Sequence, residues 1–419
     1  MVLLSEIAIW MAFIISSYFL IFWLLVLLEE DPDSYSITKK LVVFPLVSIV
    51  IPAYNEEDSI VETLKSIITM DYPKEKIEVI VVNDGSTDDT KELVEGFIQK
   101  NSTWKIDLIN QVNSGKGVAL NKGLKKSKGE FFACLDADSF VKKDTLRKIL
   151  PYFDEGDDVA TVLPLMKLRD TTTFLQKVQW SEYLINFFYK KLMGMLDCVH
   201  VSPGPFSVYR SKILKKLGGF DEHNLTEDLE ITLRLQKHNY RIIQTLNAEV
   251  FTKAPKKFNE FYKQRNRWYK GSLINMFNYR GLIFNRKYEE FGMQHAPRIA
   301  TAGILAFSLI LITVYHFFQP LIQNIVALSH IKFDIFTLLR DFKLNISFLS
   351  FNYVNLFFAG FIFILGLIII YYAHKFTKEN WKSRGRLAVP AYLVLYSLLL
   401  SIVWAGIAVD FMRGKIQKW

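Results

Sequence analysis

Two cysteines in 419 residues, Cys134 and Cys198, exclude a disulfide framework and a thiolate metal site. Each reads as a small buried apolar residue, which fits a reducing compartment. No segment repeats at a fixed period and none is compositionally biased, so solenoids and low-complexity tails are excluded. A Walker phosphate loop is also missing. Gly115-Lys116-Gly117 offers a lysine on flexible backbone, suited to a phosphate or base contact, without the Gly-x-x-x-x-Gly-Lys-Ser/Thr spacing. Histidine offers no obvious proton acceptor, because His200, His223 and His238 are scattered and read as surface or packed residues.

Four runs lack Asp, Glu, Lys and Arg: Ile7–Leu28, Ile299–Phe318, Val354–Ala373 and Leu387–Val409. The first is about 33 Å long as a helix and reaches across a hydrocarbon core. It ends in Glu29-Glu30-Asp31 rather than at a small-residue cleavage site, so it reads as a retained anchor and not a signal peptide. The expected organisation is a transmembrane helix over 1–30, a catalytic domain over 45–275 with amphipathic interfacial helices, and an interfacial segment with about three spans over 276–419. Between the last two runs lie Lys375, Lys378, Lys382, Arg384 and Arg386 against Glu379. The positive-inside rule puts that loop, and by counting back the globular domain, in the cytoplasm of a multi-pass protein of the cell membrane. The tail then falls outside despite Arg413, Lys415 and Lys418, a conflict that a re-entrant or interfacial C-terminal segment, bent near Pro320 or Pro390, would remove.

The soluble stretch alternates strand and helix. Strands are expected at 47–51, 77–82, 106–109 and 131–135, with helices over 58–69 and 88–100 and a Gly-containing loop and helix over 113–126. Motifs then fall at C-terminal strand ends, where open α/β sheets bind ligands. Asp84 can contact a nucleobase or ribose, or simply close a turn into a helix. Asp136-Ala137-Asp138 places two carboxylates near one point, suited to a divalent cation on a diphosphate. Thr226-Glu227-Asp228 is either a helix start, with Thr226 as its cap, or the base that a sugar transfer to a hydroxyl needs. Lys253–Lys270 carries seven basic residues and one acid and ends in aromatics. Nucleic acid and anionic headgroups are two readings of it; Arg267 on a diphosphate and Trp268 under a sugar is the sharper one. Phe174–Leu196 is an amphipathic helix, expected to be interfacial rather than core.

The ordered set Pro52-Ala53-Tyr54-Asn55-Glu56, Asp84-Gly85-Ser86, Gly115-Lys116-Gly117, Asp136-Ala137-Asp138, Gly204-Pro205-Phe206-Ser207, Thr226-Glu227-Asp228 and Gln264-Arg265-Asn266-Arg267-Trp268 resembles glycosyltransferase family 2. More narrowly it resembles the membrane-integrated processive synthases of cellulose, hyaluronan, chitin and poly-N-acetylglucosamine. The likeness runs from about Val47 to Gly271. It implies an α/β GT-A, Rossmann-like domain beside an α-helical transmembrane region. The implied reaction is inverting transfer from a UDP-sugar donor, with Mg²⁺ or Mn²⁺ as cofactor.

By the same resemblance Tyr54, Glu56, Asp84, Lys116 and Asp136 would bind nucleotide, Asp138 the metal, and Asp228 would be the general base. Gln264, Arg267 and Trp268, with Gly204, Pro205, Phe206, Ser207 and Glu227, would hold diphosphate and acceptor. The implied partners are the donor, a polysaccharide or lipid acceptor and the bilayer, with no nucleic acid; oligomeric state is not readable. Cellulose synthase has more spans than these four runs, so a self-contained export channel does not carry over. Three functions follow as expectations: a processive polysaccharide synthase, a single-addition transferase on a membrane lipid, and a non-catalytic nucleotide-sugar sensor.

Overall fold

The computed structural model describes residues 2–29, 41–301, 352–380 and 387–414, with isolated positions between 302 and 329. Most of the run Ile299–Phe318 and the loop positions 381–386 lie outside the described residues. Among the described residues three helices are long and apolar enough to cross a membrane: α1 (Val2–Glu29), and the two C-terminal ones, Tyr353–Thr377 and Ala388–Met412. Residues 1–26 with 301–371 form one compact unit, and residues 27–300 with 372–419 form another. Within the first unit, Trp10 and Phe13 of α1 meet Phe358 at ring-centroid distances of 5.2 and 5.8 Å.

The second unit is built on an eight-stranded sheet in the order β3-β2-β1-β4-β7-β6-β8-β5. These strands are β1 (Val47–Ala53), β2 (Ile77–Asp84), β3 (Ile106–Gln111), β4 (Phe131–Cys134), β5 (Phe140–Val141), β6 (Val159–Leu168), β7 (Ser207–Arg210) and β8 (Arg241–Thr252). β2 reads Ile-Glu-Val-Ile-Val-Val-Asn-Asp and is buried at every position, as a β-rich run covered on both faces must be. Its neighbours β1 and β3 run parallel to it, and β4 runs parallel to β1. The three chain segments that leave β1, β2 and β4 therefore emerge on one edge, which brings Tyr54, Asp84 and Asp136 to the same end of the sheet. β7 then pairs antiparallel with β4 and β6. That reversal makes the sheet mixed, which the short strands seen in sequence did not reveal.

The crossover helices fall where the apolar spacing expects them, as α2 (Ile60–Ile68), α3 (Thr90–Lys100) and α4 (Lys116–Lys126). α5 (Thr145–Ile149) and α7 (Ser211–Lys216) are short connectors. α6 (Phe174–Met195) starts in a capping box, Gln176 N–H donating to Thr173 Oγ1 at 3.2 Å and Gln176 Oε1 accepting from the Thr173 N–H at 3.2 Å. The expectation of an interfacial α6 is corrected. Val178, Trp180, Leu184, Phe188 and Leu192 are buried, because α6 packs on β6, β8 and the last helix.

α8 (Glu227–Lys237) and α9 (Phe258–Asn278) carry the two later motifs. α10 is Tyr353–Thr377 and α11 is Ala388–Met412. One stripe of α11, Tyr396, Val403 and Ile407, packs with Val178 of α6 and Phe261 of α9. The run Leu387–Val409 is thus no free-standing span: one side of it lies along α6 and α9 of the sheet domain. Cys134 and Cys198 are free and buried, as expected.

Candidate active site

Asp84 ends β2 with both carboxylate oxygens engaged. Oδ1 accepts from the Ser114 N–H at 2.8 Å and Gln111 Nε2 at 2.7 Å, and Oδ2 accepts from the Gly115 N–H at 2.9 Å. Gly115 holds φ +95°, a conformation that a side chain would strain, and α4 begins at the next residue. Asp84 therefore shapes the loop that launches Lys116. Tyr54 is exposed beside it, and Asn55 Oδ1 accepts from the Thr87 N–H at 2.8 Å. The helix after Asp84 starts at Thr90, with Asp88 and not the Asp84–Thr87 turn accepting from the Thr90 N–H.

Lys116 joins two motifs that lie 91 positions apart in the chain. Its Nζ sits 2.7 Å from Asp136 Oδ1 and 3.1 Å from Glu227 Oε1. Burial works against its charge, but Asp136 and Glu227 hold the ammonium well above its usual pKa. The bridge is possible because residue 204 has no side chain. A Cβ on Gly204 would meet both Asp136 carboxylate oxygens at 2.6 Å and Lys116 Nζ at 2.7 Å. The following Phe206 is fully buried at φ +60°, a strained setting for a phenylalanine, and Ser207 Oγ fastens the turn to the Pro203 carbonyl at 2.5 Å.

Asp138 and Glu56 form an acidic face beside Asp136. Burial, then Asp136, pushes Asp138 up to about 6. Burial also pushes Glu56 up to about 7; a hydrogen bond from Ser59 opposes this, and Asp138 and Asp136 add to it. Thr63 Oγ1 pins the turn between the two aspartates by donating to the Ala137 carbonyl at 2.7 Å. No trio of ligating side chains is assembled among the described residues. A hard cation such as Mg²⁺ needs only one or two carboxylates when substrate phosphates complete its shell. Two crowded acids with raised proton affinity suit that role. Lys253, which lowers the proton affinity of both Glu56 and Asp138, is a further cation at this face that the sequence did not single out.

Asp228 opens α8 on the other side of the Lys116 bridge. Burial and then Glu227 push its carboxyl up to about 6, against the pull of Lys116 and Arg267. Its Oδ1 accepts from the Leu229 N–H at 2.8 Å. Thr226 makes no side-chain cap, which corrects that expectation: its Oγ1 accepts from Asn275 Nδ2 of α9 at 3.0 Å instead. Lys190 of α6 faces the same acid, with burial drawing it down to about 8 and Asp228 opposing. His200 is packed, its Nδ1 2.8 Å from His295 Nε2, and burial holds both rings well below their usual pKa.

On α9 the motif divides into two kinds of residue. Arg265 is fully buried, ion-paired with Glu182 of α6 at 2.5 Å, and lies 4.2 Å from the centroid of the Trp268 ring. One face of the indole is therefore covered by guanidinium. Gln264 Oε1 accepts from Arg265 Nη1 at 2.6 Å, and Arg267 reaches the Leu225 carbonyl at 3.3 Å next to Asp228. Lys270, 1% exposed, pairs with Asp410 of α11 at 2.8 Å. Two of the seven basic residues that suggested a nucleic-acid surface are thus internal ion pairs. Glu182 and Asp410 were not legible as site residues, since each is the single acid of its helix with no motif around it. Breaking a pair as buried as Arg265–Glu182 costs on the order of 3–5 kcal/mol, a large part of a domain's stability.

Residues 48–218 match glycosyl transferase family 2. Over 227 residues the chain is 31% identical to poly-beta-1,6-N-acetyl-D-glucosamine synthases of Staphylococcus epidermidis and Staphylococcus aureus. The match covers 54% of this chain and 54% of each relative, so the chain spans about half the length of the curated relatives it matches. Among solved structures, the mannosyltransferase PcManGT from Pyrobaculum calidifontis, in complex with GDP-Man and Mn²⁺, superposes with a TM-score of 0.65 at 16% identity. It covers 98% of this chain and 99% of that one, which shows the GT-A fold.

Proposed function

We propose, from a chain whose residues 48–218 match glycosyl transferase family 2, that this protein transfers a sugar from a UDP-sugar to the end of a growing polysaccharide at a membrane. The observation that carries this reading is the Lys116 bridge between Asp136 and Glu227. It ties the strand-end motif to the helix-start motif, which supports one site shared by Asp138 as metal ligand and Asp228 as base. The similarity to poly-beta-1,6-N-acetyl-D-glucosamine synthases supports a polysaccharide acceptor and N-acetylglucosamine as the first sugar to test.

In the proposed reaction Asp228 takes the proton of the acceptor hydroxyl as that oxygen bonds to the anomeric carbon. The bond from that carbon to the diphosphate oxygen breaks, and its electron pair leaves with UDP. The carbon is inverted. Asp138 would hold a divalent cation, which when bound would supply Lewis-acid stabilisation of the leaving diphosphate. Tyr54, Glu56, Asp84 and Asp136 line the nucleotide end, Lys116 and Arg267 offer positive charge to the diphosphate, and Trp268 supports the acceptor sugar.

Three helices of membrane-crossing length support attachment to a bilayer. The domain side of α11 includes Asp410 at its C-terminal end, which supports an interfacial path for Leu387–Val409. Such a path would keep Arg413 on the domain's side and remove the charge conflict at the tail. The second reading, single addition to a membrane lipid, needs the same site and only an anchor, and the short membrane part favours it. Incubating detergent-solubilised protein with radiolabelled UDP-N-acetylglucosamine and other UDP-sugars separates the two. Size-resolved polymer is expected, a chloroform-soluble glycolipid would replace the first reading by the second, and no transfer from any donor would overturn both.

A further inference from the structure

α9 is gripped from two directions by charge. On one side Arg265 meets Glu182 of α6, and on the other Asn266 Nδ2 and Lys270 Nζ reach Asp410 Oδ2 of α11 at 3.2 and 2.8 Å. Gln264, Arg267 and Trp268 lie on the same two helical turns as these anchors. Asp410 is the single acid in the twenty-five residues of α11. Elsewhere along that helix the contacts with α9 include Tyr396 on Phe261 and Trp404 stacked on Tyr269 at 5.1 Å. Apolar packing holds two helices together but tolerates small slides and repacking. A directed pair to a lysine that is 1% exposed sets one register.

We propose that Asp410 is a positioning residue of the active site: by gripping Lys270 and Asn266 it fixes the register of α9, and with it the placement of Arg267 and Trp268 toward diphosphate and acceptor. The roles of Arg267 and Trp268 rest on the function proposed above. On this view the apolar C-terminal helix is part of the catalytic unit and more than an anchor. Val394, Leu398 and Ile402 on its other side are exposed, so the segment that meets lipid also holds the acceptor-side helix.

The test compares D410N, D410E and the paired substitution K270M/D410L in the full-length, detergent-solubilised protein. Transfer to acceptor, UDP affinity, melting temperature and hydrogen exchange across 258–278 are measured on each. D410N should lower transfer by roughly tenfold to a hundredfold, the scale of a small misplacement. UDP affinity should stay within about threefold and exchange of the 264–270 amides should rise, while D410E recovers most of the transfer. K270M/D410L keeps the contact apolar, so it should hold its melting temperature yet still lose transfer; it decides the matter if D410N does not fold. Full transfer in the paired variant would overturn the proposal. So would unchanged exchange in D410N, or transfer, UDP affinity and melting temperature falling together. If the unmodified protein transfers no sugar, the proposed function fails, and the exchange measurement still decides whether Asp410 sets the register of α9.

Discussion

At the scale of single residues, Asp228 owes its suitability as a base to its surroundings. Burial and Glu227 raise its proton affinity, while Lys116 and Arg267 keep it from rising further, and the result is a carboxyl near 6. Such a base is competent when deprotonated, so the rate should climb as pH rises through about 6 and level off above it. Asp228→Asn keeps the size and can still accept the Leu229 hydrogen bond, yet cannot take a proton. A rate loss on the order of 10²–10⁴ is expected, with UDP affinity nearly unchanged and the acidic limb of the pH–rate profile altered. Loss of binding and stability together would make Asp228 a structural residue. That an acid opened this helix was legible in Thr226-Glu227-Asp228. The hydrogen bond from Asn275 to Thr226, which replaces the expected cap, was not, because its partner lies 49 positions away.

At the scale of elements, α9 shows how one helix serves both packing and chemistry. Arg265 faces inward to Glu182 and covers one side of the Trp268 indole, so the proposed acceptor platform would be its other side. Trp268→Ala should remove that platform while leaving UDP affinity within a few-fold. Polymer synthesis should be lost, and hydrolysis of the donor by water should persist. Product length, UDP release and melting temperature on one preparation check this, and normal-length polymer from a stable variant would sink the acceptor role. The Gln-x-x-Arg-Trp pattern marks α9 from its residue order alone. Which of its two arginines is buried depends on helical phase against α6, and that helix in turn was expected at an interface. The amphipathic pattern of α6 looks the same whether protein or lipid covers its apolar side.

At the scale of the whole molecule, the site gathers partly buried acids that Lys116 and Lys253 partly counter. Glu56 and Asp138 carry folded-state pKa values of about 7 and 6 against ordinary values of 4.5 and 3.8. A carboxyl raised in this way contributes stability that is complete below its unfolded pKa and is lost as pH rises through its folded one. These two groups should therefore make the ligand-free protein less stable at pH 8 than at pH 5. UDP with Mn²⁺ relieves the repulsion among ionised carboxylates, so it should raise the melting temperature more at pH 8 than at pH 5. Asp138→Ala should remove most of that difference. Equal stabilisation at both pH values, or none from the metal, would remove the cation from this face.

The sequence by itself determined the parallel half of the sheet, the strand ends that carry Asp84 and Asp136, the order of the motifs and the three apolar helices among the described residues. All of these follow from local periodicity, which is written within a dozen residues. The tertiary structure decided what periodicity cannot express. It turned β7 antiparallel beside β4, set Gly204 against Asp136 and Lys116, and laid one side of α11 along α6 and α9. Lys116 could not be known to bridge Asp136 and Glu227, nor Asp410 to grip Lys270, since each pair joins distant parts of the chain. Such contacts depend on how whole elements pack, and a buried ion pair leaves no pattern in the sequence around either partner.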